Sequence, residues 1–131
     1  MRGLDTNVLA RYLVQDDPVQ GERASQLIEE MAASGTACFI NNIVLCELVW
    51  VLKSAYAYKK EDIISILDRL LNSSQFEFES KEAAKWALEE YQKSKADFSD
   101  CLLAKHNQNQ GCSETISFDK GVRRVEGFRV L

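Results

Sequence analysis

The sequence predicts an α/β fold in which a short parallel sheet of about five strands carries helices on both faces. Three observations predict it. Strand-like and helix-like segments alternate from one end of the chain to the other, the pattern of a parallel sheet with crossover helices. The long segments space their apolar residues three and four apart, whereas the strand-like segments between them are at most five residues long. The chain has 131 residues, which suits one domain spanning 1–131.

The elements follow in order. Gly3-Leu4 can end a first strand. Residues 6–15 place Val8, Leu9, Tyr12 and Leu13 at helical spacing. A second helix over 19–33 sets Ala24, Leu27, Ile28 and Met31 on one side and stops at Gly35. Residues 37–40 read Ala-Cys-Phe-Ile, a strand-length apolar run. Asn41 or Asn42 then caps a strongly apolar helix over 43–56. Residues 61–71 form an amphipathic helix through Ile63, Ile64, Leu67, Leu70 and Leu71. Residues 75–79 alternate with period two, as a strand with one polar face does. Ser80 caps a helix running to Lys93, and a further helix over 99–110 stops at Gly111. Residues 115–118 and 128–131 supply the last two strands.

Composition narrows the function. Hydrophobic residues make up 46% and charged residues 27%, ordinary for a globular protein. The N-terminal residues are interrupted by Asp5, Asn7 and Arg11, so they do not read as a signal peptide. No apolar stretch approaches the roughly 20 residues of a membrane span, so the expected location is the cytoplasm. Cys38, Cys46, Cys101 and Cys112 form no C-x-x-C pair, and His106 is the single histidine, which argues against a zinc site. The net charge of −4 argues against a general nucleic-acid coat protein. It does not argue against an enzyme whose carboxylates hold metal ions for a phosphate substrate.

Most of the twenty acids have an easy structural explanation, and Glu22, Asp68, Glu82 and Glu90 are among those on polar helix sides. Asp5 follows the first strand and opens a helix, where an aspartate is either a cap or a ligand. Asp119 follows Thr-Ile-Ser-Phe and stands before a turn, with the same two readings. Glu47 has Ile43, Val44, Trp50 and Val51 among its same-face helical neighbours, so it is expected to lack a solvent face. It then serves either a buried ion pair or a metal. Asp97 and Asp100 stand three apart at a helix start, as a capping pair or as ligands. Strand ends and helix starts of a parallel sheet share one rim, so these acids are expected to converge there. Converging carboxylates repel without a cation, and hard oxygen donors suit Mg²⁺ or Mn²⁺. Such a site favours phosphodiester hydrolysis.

At these residues the chain resembles the PIN-domain family, in particular the VapC-type toxins of prokaryotic toxin–antitoxin pairs. The matching segments are Gly-Leu-Asp5-Thr6-Asn7-Val-Leu, Cys-Glu47-Leu, Ala-Asp97-Phe-Ser-Asp100-Cys-Leu-Leu-Ala and Ser117-Phe-Asp119. The resemblance implies a three-layer α/β/α sandwich and an endoribonuclease that leaves 5′-phosphate and 3′-hydroxyl ends. It implies an acidic quartet of Asp5, Glu47, Asp100 and Asp119, with Asp5 and Asp100 at the metal positions. Asp97 is a weaker candidate, and Thr6, Asn7 and Ser117 would give polar support. It also implies an RNA substrate, a Mg²⁺ or Mn²⁺ cofactor, a homodimer and a VapB-like antitoxin. Arg2, Arg11, Lys53, Lys59, Lys60, Lys105, Arg123 and Arg124 are candidates for guiding RNA.

Three other readings compete. A non-catalytic PIN-like binding module is disfavoured because all four quartet positions are acids. A phosphotransfer receiver domain needs a paired acidic motif after the first strand and a lysine after the fifth, and this chain has neither. A DNA nuclease of related fold is not separable from a ribonuclease by sequence.

Overall fold

The computed structural model describes residues 1–131. The fold is α/β: six α-helices alternate with five short strands, and every strand pairing is parallel. The chain divides into two compact units, Met1–Ser80 and Lys81–Leu131.

The first unit contains β1 (Arg2–Gly3), α1 (Thr6–Val14), α2 (Pro18–Ala33), β2 (Cys38–Ile40), α3 (Asn42–Ser54), α4 (Lys60–Leu71) and β3 (Phe76–Phe78). Its strands lie in the order β1-β2-β3, with Gly3 beside Phe39 and Ile40 beside Phe78. Because all three run the same way, their carboxyl ends share one edge. Asp5, Asn41 and Glu79 follow those ends within one or two residues.

Local chemistry sets the helix limits. Asp17 accepts the Val19 and Gln20 N–H groups at 3.1 and 2.9 Å, and Pro18 takes the first helical position, so α2 starts there. Gly35 follows the end of α2 at φ +72°, a left-handed conformation that glycine adopts without a Cβ clash. Asn41 accepts the Val44 N–H at 2.8 Å and caps α3. The core comprises Leu9, Ile28, Ile40, Leu45, Leu48, Leu52, Ile63 and Leu67, all fully buried. Met31 belongs to this core, while Tyr12, Leu13 and Leu27 are half-buried. Arg11, one of the expected RNA-guiding cations, is engaged within the unit. Its guanidinium meets Asp16 at 2.7 Å, the Tyr56 hydroxyl at 3.0 Å and Gln20 at 2.8 Å.

The second unit contains α5 (Lys81–Lys93), α6 (Phe98–Asn109), β4 (Thr115–Ser117), a 3-10 turn (Lys120–Val122) and β5 (Phe128–Val130). The two helices pack on each other, and Phe98, 1% exposed, meets Tyr91 edge-to-face at 6.1 Å. Gly111 ends α6 at φ +98°. β4 and β5 pair with Ser117 beside Val130. Hydrogen bonding thus joins the five strands as three in the first unit and two in the second. No helix of the chain is long and apolar enough to cross a membrane.

Candidate active site

In the first unit the acids stand at the carboxyl edge of the sheet. Asp5 leaves β1 in extended conformation and begins α1, and its Oδ1 accepts the Thr6 N–H at 2.8 Å. Capping uses one carboxylate oxygen, and the side chain is exposed, so Asp5 is both a cap and available to a ligand. Thr6 Oγ1 is buried without a hydrogen-bond partner, and Asn7 is exposed.

Glu47 lies in the second turn of α3, five residues beyond the helix start beside β2. It is exposed, which overturns the expectation that it lacks a solvent face. The core face of α3 is Val44, Leu45, Leu48, Val49 and Leu52, and Glu47 shares the other face with Ile43 and Trp50, 67% and 68% exposed. Glu47 makes no ion pair, so the buried-pair reading falls. Glu79, which the alternating pattern assigned to a polar strand face, accepts the Asn42 N–H at 3.1 Å at the start of α3. It is a further carboxylate of this edge that sequence reasoning did not single out.

In the second unit three carboxylates act on one another. Asp97 takes the N-cap position of α6, and Asp100 stands in its first turn. Buried Phe98 between them anchors the helix start. Asp119 follows β4 and caps the 3-10 turn by accepting the Gly121 N–H at 2.7 Å. Ser117 holds Asp119 from behind, its Oγ accepting the Asp119 N–H at 2.9 Å. Burial pushes the Asp100 carboxyl above the usual carboxylate range, and the charges of Asp97 and Asp119 push it further. A backbone hydrogen bond from Asp97 opposes them but does not win. Asp100 makes no ion pair with any Lys or Arg.

This donor set fits a hard divalent cation. Its members are carboxylate oxygens, and Asp100 is a half-buried carboxylate with acidic neighbours and no cationic partner. Within either unit no three His, Cys, Asp or Glu side chains are close enough to hold an ion by themselves. None of the four cysteines forms a disulfide, and Cys38 and Cys101 are buried. Glu90, expected on a solvated face, is 8% exposed and bonded to Lys93 at 3.1 Å, which removes it from the candidate ligands.

The PIN domain family model matches residues 4–127, running through both units without a break. The chain belongs to the PIN domain family. It is also 30% identical over 131 residues to a VapC ribonuclease of Aquifex aeolicus (strain VF5), covering 100% of this chain and 96% of that protein.

The raised Asp100 carboxyl has a signed consequence for the metal-free protein. A group whose native pKa lies above its unfolded value favours folding below the unfolded value, about 3.9 for Asp. That contribution is lost as pH rises through the native value. In EDTA, Asp100→Asn should therefore gain melting temperature relative to wild type as pH goes from 4 to 7. Thermal melts at the two pH values check this, and an unchanged difference would remove the assignment of strain to Asp100.

Proposed function

We propose that this chain is a metal-dependent endoribonuclease, the toxin component of a toxin–antitoxin pair, acting in the cytoplasm as one nuclease domain over 1–131. The observation that carries the reading is the full-length similarity to a VapC ribonuclease, joined to an acid at each of Asp5, Glu47, Asp100 and Asp119. The partners proposed are RNA, a VapB-like antitoxin and a second copy of the chain. Half-buried Tyr12, Leu13 and Leu27, with exposed Ile43 and Trp50, support protein contacts.

In this reading Asp5 and Asp100 hold Mg²⁺ or Mn²⁺, and Asp97 is a weaker ligand. A cation held there would supply positive charge to offset that of the phosphate and of the leaving oxygen. The side chains do the rest. Glu47 or Asp119 orients a water for attack on phosphorus and takes its proton, while the bond from phosphorus to the 3′ oxygen breaks and that oxygen leaves as a hydroxyl, protonated from solvent. Exposure of Glu47 supports this role, because a solvated carboxylate reaches water without moving the core. Ser117 and Gly121 hold Asp119 from two sides, one through the backbone and one through the carboxylate. A Cβ on Gly121 would meet Asp119 Oδ1 at 3.0 Å, so a side chain there shifts the carboxylate by a few tenths of an ångström. Thr6 and Asn7 lend polar support beside Asp5.

Cleavage of a labelled loop-containing RNA should require Mg²⁺ or Mn²⁺ and stop in EDTA. Asp5→Asn and Glu47→Gln should each abolish it. Glu47→Gln should leave stability within about 0.5 kcal/mol of wild type, as exposed substitutions do. Undiminished cleavage by Asp5→Asn, or equal cleavage of duplex DNA by wild type, would refute the reading. Gly121→Ala tests the seating of Asp119. Its cleavage rate should drop by about fourfold with the melt unchanged, since misplacement by about 1 Å costs up to about 10²-fold and the shift here is a few tenths of that. A wild-type rate would show that Asp119 need not sit where Gly121 holds it.

A further inference from the structure

The second unit carries a groove of about 730 Å³, within the roughly 300–1,000 Å³ range of ligand-sized clefts. The end of α5 and the residues after it form one wall, and the 3-10 turn and the residues after it form the other. Lys93, Lys95, Lys120, Arg123 and Arg124 line it. Its one carboxylate, Glu90, is buried and already bonded to Lys93. Lys95, Lys120, Arg123 and Arg124 are exposed and make no ion pair. A chain of net charge −4 thus concentrates unneutralised positive charge in one cleft.

Three features identify the ligand class. The lining has no apolar side chain, so it offers no anchor pocket of the kind that protein partners fill. It has no aromatic side chain either, so it cannot stack bases. What remains is Lys and Arg donors, which suit phosphate oxygens. The groove is also joined to the candidate chemistry. Gly121 lines it and donates its N–H to Asp119 at 2.7 Å, and Lys120 follows Asp119 directly.

We propose that this groove binds the sugar–phosphate backbone of single-stranded RNA without reading its sequence, and delivers a phosphodiester to the neighbourhood of Asp119. The proposal rests on the ribonuclease reading for its ligand. Cations from two segments more than twenty residues apart meet on one strand of phosphates. Each neutralised phosphate adds about 0.7 to the salt slope on a single strand. Lys120, Arg123 and Arg124 together therefore account for a slope of about 2.

The test is fluorescence anisotropy of a labelled 12-residue oligouridylate in EDTA across a salt series. The proteins are wild type, the triple variant Lys120→Gln/Arg123→Gln/Arg124→Gln, and Arg123→Lys/Arg124→Lys. All three side chains are exposed, and circular dichroism checks that the variants fold. The triple variant should bind about tenfold or more weakly at low salt, with a slope smaller by about 2. The charge-conserving variant should keep the wild-type slope. An unchanged affinity and slope in the triple variant would overturn the proposal. So would equal losses in the two variants, or tighter binding of a decaglutamate peptide than of RNA. Cleavage is assayed in parallel: a wild type that binds through the groove and cleaves no RNA refutes the ribonuclease reading while the groove stands.

Discussion

The structure depends on how short parallel strands hand over to helices. β1, β2 and β4 are two or three residues long, and a helix or turn begins within three residues of each. Each helix start exposes backbone N–H groups with no intrahelical acceptor. An aspartate or asparagine placed there satisfies one of them, as Asp5, Asn41 and Asp119 do. The same placement brings carboxylates to the strand ends, so capping and the proposed ligand binding are compatible rather than rival explanations. In Asp5 and Asp119 one oxygen serves the backbone and the second is not used by the cap. Asp100 is the member for which the charge itself is costly, through burial and through Asp97 and Asp119. A divalent cation is the natural compensation.

Much of this was legible in the sequence because local rules govern it. Gly35 and Gly111 stop helices in the left-handed conformation that glycine alone adopts cheaply, and Asn41 caps α3. Asp5, Asp97 and Asp119 stand at the element starts where the pattern put them. The environment of Glu47 was not legible. α3 is apolar on two faces, and periodicity cannot tell which one the core takes. The core takes Leu45, Leu48 and Leu52, leaving Ile43, Glu47 and Trp50 outside. The arrangement of five strands as three and two was equally hidden, because strands of two or three residues carry too little pattern to name their neighbours.

The charge layout is compatible with the polyanionic substrate proposed for this acidic chain. Cations singled out one by one from the sequence have unequal fates: Arg11 is consumed by Asp16, while Arg123 and Arg124 join Lys95 and Lys120 in a groove. That groove could not be read from sequence, because its two walls come from separate segments that meet only in the fold. Acidic and basic regions touch at Asp119 and Gly121, so the proposed phosphate groove and one of the proposed catalytic carboxylates are neighbours.

The central claim is that Asp100 is a carboxylate awaiting a cation. Isothermal titration of Mn²⁺ into substrate-free protein tests it most directly, with Asp100→Asn beside wild type and Glu89→Gln, an exposed acid on α5, as the control. The account predicts binding to wild type and to Glu89→Gln and its loss in Asp100→Asn. Equal Mn²⁺ affinity in wild type and Asp100→Asn would contradict it.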